Sequence, residues 1–128
     1  MKFTLAFLFL LFTRIFIASD IVDDLSINFK TGNVAEISKY FSANLELDML
    51  EKEGVYSNQQ SQIILKDFFA KHPPISIKVI HKVMSNPNYK LGVFILNTGK
   101  GIFRISIELK NIDQNLKITQ IRIEENKD

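Results

Sequence analysis

The chain has 128 residues, 46% of them hydrophobic, and a formal charge of +2. That length holds one domain with a sizeable core and leaves no room for a second. Lys2 and Arg14 lie in the first 19 residues, which carry no acid, so the remaining fourteen basic residues meet fourteen acidic ones. Such a neutral body offers no electrostatic footprint for nucleic acid or an anionic membrane surface.

Residues 1–19 open with Lys2, continue with the apolar run from Phe3 to Phe12 and close on Ile-Phe-Ile-Ala-Ser. This pattern predicts a secretory signal peptide, followed by a single domain over residues 20–128. The apolar run is too short to span a bilayer. Arg14 interrupts it and Phe16 stands where a small residue is usual, so an uncleaved amino-terminal anchor is the alternative. In that case the leader is the chain's only membrane contact. There is no cysteine, so neither disulfides nor thiolate metal sites contribute, and stability rests on packing. The chain lacks an Asn-x-Ser/Thr acceptor, and its richness in Ile, Lys, Asn and Phe resembles the product of an AT-rich bacterial genome. A periplasmic or secreted bacterial protein is therefore expected.

Asp20 or Ser19 is placed to cap a helix carrying Ile21, Val22, Leu25 and Phe29 on one side, ended by Gly32. Asn33 with Glu36 three residues later opens a second, short helix from about Val34 to Tyr40. Leu45, Leu47 and Met49 alternate with polar residues, the period of a strand with one buried face. A polar turn, Glu51-Lys52-Glu53-Gly54, then leads to a short return strand at Val55-Tyr56. Ser57 and Gln60 form a capping-box pattern for a helix with Ile64, Leu65, Phe68 and Phe69 on one flank. Pro73 and Pro74 stop it at His72. From Ile75 to Glu125 four β-branched runs with turn chemistry between them predict one antiparallel sheet.

Helices first and a curved antiparallel sheet after them make the fold class α+β, with two or three helices packed on the sheet. The arrangement resembles the NTF2-like (nuclear-transport-factor-two-like, cystatin-like cone) superfamily. At finer grain, Gly54-Val55-Tyr56-Ser57, Ile64-Leu65-Lys66-Asp67-Phe68-Phe69, Pro73-Pro74, His81 and Gln120-Ile121-Arg122-Ile123-Glu124 resemble the bacterial domain-of-unknown-function family DUF4783. The resemblance covers about residues 20 to 125 and implies a sheet wrapped around a helix, leaving a pocket. It implies no activity. Val83 departs from the glycine that family leads one to expect two residues after the histidine.

Alternation places His81 on one face with Ile77, Val79 and Val83, and so at the cone's interior, where Tyr56 and Tyr89 are further pocket candidates. An imidazole there is suited to holding a polar ligand group or acting as a general base; the bland reading is a structural histidine with one hydrogen bond. Catalysis also requires an orienting acid, and no carboxylate lies on an apolar strand face. No catalytic set, metal site or cofactor is therefore assigned; two distant histidines do not make a ligand cluster. Asn97-Thr98-Gly99-Lys100-Gly101 is glycine-rich but lies between strands, which makes it a hairpin turn and not a phosphate loop.

The strand before that turn is apolar on both faces. With a two-residue turn, Phe94 and Leu96 join Phe103 in the core while Leu91, Val93 and Ile95 stand outside; with three residues the assignment reverses. Either way a cluster drawn from Leu91, Val93, Phe94, Ile95 and Leu96 is left on the sheet's back, a candidate dimer interface. In the last strand the apolar phase changes between Ile118 and Ile121, which predicts a β-bulge near Thr119-Gln120. Arg122 and Glu124 are expected to pair with Glu108 and Arg104. Three functions fit these features: an exported, non-catalytic binding or interaction module with a small ligand in the cone or a partner on the sheet; a small hydro-lyase or isomerase-type enzyme centred on His81; or a structural envelope protein acting as a homodimer.

Overall fold

In the computed structural model, which describes residues 19–127, the first helix α1 (Ile21–Lys30) begins at Asp20, whose carboxylate accepts the Asp23 amide at 2.8 Å. Phe29, Leu25 and Val22 are fully buried on its inner side. Gly32, at a φ of 66°, reverses the chain just past its end. Helix α2 (Val34–Ser38) is capped by Asn33. Strand β1 (Phe41–Met49) starts three residues earlier than its alternation suggests, and β2 (Lys52–Ser57) returns beside it. The Ser57–Gln60 capping box closes the start of α3 (Asn58–Lys71), and β3 begins at Pro74. Strands β3 (Pro74–Asn86), β4 (Tyr89–Thr98), β5 (Gly101–Ile112) and β6 (Asn115–Glu125) follow.

The six strands form one curved, unclosed sheet in the order β2-β1-β6-β5-β4-β3, with the three helices on its concave side. The four carboxy-terminal strands are antiparallel neighbours in chain order. The non-local pairing of β1 with β6 is parallel, so the sheet as a whole is mixed. Helix α1 lies over β3 and β4, and α3 lies over β1 and β2. The first of these contacts depends on Gly92, because a Cβ there would stand 2.7 Å from Cγ1 of Val22. Between the layers the core is continuous, with Phe29 in contact with Phe69 and Phe94, and Phe68 with Phe69 and Phe103.

Two irregularities set which residues face the helices. On β6, Leu109 pairs with Ile118 and Glu108 with Gln120, so Thr119 is the extra residue of a bulge and Ile118, Ile121 and Ile123 are all buried. On β3, Val79 pairs with Phe94 but His81 pairs with Val93, so Ile80 is extra and the strand changes phase there. Ile77 and Val79 face the core before that point, and Met84 packs against the core beyond it.

Candidate functional site

The bulge at Ile80 corrects the placement of His81. Cross-strand partners share a face, and His81 lies opposite Val93, which is outside the core cluster. It is thus exposed on the convex side, away from Ile77 and Val79. Tyr89 also belongs to the convex side. Its hydroxyl donates to Glu108 Oε1 at 2.7 Å, and this bond, with some burial, raises the phenol above its ordinary pKa. Tyr56 is half-buried on the concave side, opposite Leu45 and against the core. His81, Tyr56 and Tyr89 therefore do not line one pocket. Tyr89 is also four residues along β4 from the partner of His81, about 13 Å at the usual strand rise and beyond hydrogen-bond reach. Neither tyrosine stands as the acid–base partner that a His81-centred reaction requires.

The hairpin between β4 and β5 has a two-residue turn, Gly99-Lys100, since Thr98 pairs with Gly101. The Thr98 hydroxyl braces it, donating to the Gly101 carbonyl at 2.7 Å and accepting the Lys100 amide at 3.1 Å. That register settles the face of β4. Phe94 and Leu96 are fully buried in the core, which removes them from the convex candidates. Leu91, Val93 and Ile95 stand on the convex side, where Leu91 and Ile95 are half-buried and Val93 is closed off at 3% exposure. Val83 on β3, opposite Leu91, and Ile102 on β5, opposite Asn97, extend this patch; Ile102 is 46% exposed.

Beyond the patch the convex side is polar and carries both signs. Arg122 pairs with Asp48 at 3.0 Å, not with Glu108 as the sequence suggests, because the parallel register places Asp48 directly beside it while Glu108 takes Tyr89. On the concave side, Lys82 bridges α1 to β3 through Asp20 at 2.8 Å and Asp23 at 2.9 Å. Burial works against ionisation of Asp20, but the Lys82 bond and the Asp23 amide outweigh it and hold the carboxyl below its ordinary pKa.

A groove of about 290 Å³ opens between α3 and the turn joining β1 to β2. Phe68 and Met49 are buried beneath it, and Leu50, Glu51, Lys52 and Ile64 are among its walls. The imidazole of His72 stacks on Phe68 with ring centroids 4.6 Å apart and meets the edge of Phe103 at 4.9 Å. Its Nδ1 donates to the Phe68 carbonyl at 2.9 Å, beside the His72 amide bond to the same oxygen. Among the described residues no cluster of three or more His, Asp or Glu side chains is arranged to hold a metal ion. No described helix is long and apolar enough to cross a membrane.

The model of DUF4783, a domain of unknown function, matches residues 22–124. The chain belongs to the DUF4783 family. The DUF4783 protein of Bacteroides uniformis ATCC 8492 superposes with a TM-score of 0.80 at 24% identity, over 85% of this chain and all of that one. The one from Bacteroides ovatus ATCC 8483 gives 0.76 at 25% identity, over 81% and 94%. A cystatin-like domain of unknown function from Nostoc punctiforme PCC 73102 shares the fold, with a TM-score of 0.63 at 10% identity over 86% and 81%. No curated protein matches the chain. The DUF4783 domain here is thus an NTF2-like, cystatin-like fold of three helices on a six-stranded sheet.

Two features of this DUF4783 protein have no local signal. Ile102 follows a turn glycine, and its face is known only once the turn length is. His72 is legible as a helix-end residue whose ring caps a carbonyl of α3, as it does at Phe68, but the groove beside it is formed by a turn far back in the chain.

Proposed function

We propose that this chain is an exported, non-catalytic interaction module of the bacterial envelope that self-associates through the convex face of its sheet. The observation that carries the reading is the apolar patch of Val83, Leu91, Val93, Ile95 and Ile102 on the side of the sheet the helices leave uncovered. Apolar area of this kind gains roughly 25 cal/mol per Å² when a partner removes it from water. A second copy suits it, because an isologous two-fold contact lays the patch on itself, and Arg104 and Glu108 beside it carry both signs, as a self-complementary surface requires. The concave side supports the same reading, since the space under the helices is occupied by core side chains such as Phe29, Phe94 and Leu65. Export rests on the leader pattern of residues 1–19 alone, and the bacterial setting on the sources of the relatives.

Sedimentation velocity of the protein lacking residues 1–19 tests the self-association. A dimer that Ile95→Lys with Ile102→Lys converts to a folded monomer is the expected result. A wild-type monomer at about 200 μM, a concentration at which even a weak contact is populated, overturns it.

A further inference from the structure

We propose that the groove between α3 and the β1–β2 turn is a binding site for a small zwitterion with an apolar body, the chemistry of a free amino acid with a large apolar side chain. At about 290 Å³ it has the volume of a small-molecule site at the lower end of the usual range, roughly 300 Å³. Its floor is apolar and polarisable, made by Met49 and Phe68, with Ile64 on one wall and Leu50 on the other. Leu50 is held at a φ of 29°, a region that bulky residues avoid, and its side chain is 50% exposed where it lines the groove.

The charges at the rim decide the class of ligand. The helix wall carries Asp67 and Lys71, which already neutralise each other at 3.1 Å. The turn wall carries Glu51 and Lys52, and neither takes part in an ion pair among the described residues. With that pair self-neutralised, a singly charged ion meets one attracting and one repelling group at the turn wall, Lys52 and Glu51 for an anion and the reverse for a cation. A molecule bearing both signs on groups flanking one carbon meets a partner for each, its ammonium at Glu51 and its carboxylate at Lys52. His72 adds one polar group to the wall, because Nδ1–H is committed to the Phe68 carbonyl and Nε2 has no partner among the described residues.

Amide NMR of the protein titrated with L-phenylalanine tests this site. Separate titrations with 3-phenylpropanoate and with phenethylamine keep the ring and one charge each. The expected result is a set of shifts confined to residues 49–52 and 64–72, with L-phenylalanine bound at least about tenfold more tightly than either analogue. Glu51→Gln is expected to weaken L-phenylalanine roughly threefold or more while sparing 3-phenylpropanoate, and Lys52→Gln to do so while sparing phenethylamine. Both side chains are exposed, and unchanged thermal unfolding of the variants confirms that they fold. No shifts at about 20 mM L-phenylalanine, where even a millimolar site is filled, overturn the proposal. So do shifts elsewhere in the domain, or equal affinity for a singly charged analogue.

Discussion

Neighbouring residues of β4 point into two different environments. Phe94 and Leu96 face the helices and are fully buried, whereas Leu91 and Ile95, equally apolar, face away and are only half-buried. The concave face is therefore the fold's own interior, covered by α1 and α3. The convex face offers the same chemistry at Leu91 and Ile95 with no helix over it among the described residues. An antiparallel sheet commonly leaves one face to solvent, and on the reading proposed above a second copy of the chain covers the apolar part of that face.

The largest effect that separates the faces is expected from truncating each in turn. Phe94→Ala should cost about 3–5 kcal/mol in denaturant unfolding, while Ile95→Ala in a dilute, monomeric sample should cost less than about 1 kcal/mol. Equal costs would erase the distinction. Next in size is the contact of α1 with the sheet. Gly92→Ala places a methyl 2.7 Å from Val22 Cγ1 and should cost about 1–3 kcal/mol, part of it recovered by Val22→Ala in the same chain.

Asp20→Ala removes the α1 cap and one of the two Lys82 contacts, leaving Asp23, and a loss of about 1 kcal/mol is expected. The pH dependence of that loss has a definite sign. The Asp20 carboxyl titrates below its ordinary value, so its contribution is complete above about pH 4 and fades as pH falls through the lowered pKa. Unfolding midpoints of the wild type and the variant should therefore converge in strong acid. The smallest effect lies at the edge of the convex patch. Ultraviolet titration should show Tyr89 ionising above pH 10, and Glu108→Gln should bring it back toward about 10, the ordinary phenol value.

Much of the fold is legible in the sequence because its signals are local. Asp20, Asn33 and Ser57 each cap the helix their side chains suggest. The bulge at Thr119 is legible because the apolar residues of β6 switch phase across it, and polar residues mark the other face. The bulge at Ile80 is hidden for the opposite reason. Ile77, Val79, Ile80 and Val83 are apolar in both phases, so a one-residue slip leaves the pattern intact while moving His81 to the other side. The parallel β1–β6 pairing joins elements some 70 residues apart and has no local signal. For the same reason the convex patch is only half legible. Leu91, Val93 and Ile95 show in the strand itself, but the additions of Val83 and Ile102 depend on cross-strand register.

Methyl NMR of the protein lacking residues 1–19, recorded over a dilution series, tests the division of the two faces most directly. The methyl signals of Leu91, Val93, Ile95 and Ile102 should move with concentration while those of Leu45, Leu96 and Leu109 stay fixed. Concentration-dependent shifts centred on α1 or α3, or none at any concentration, would contradict the account.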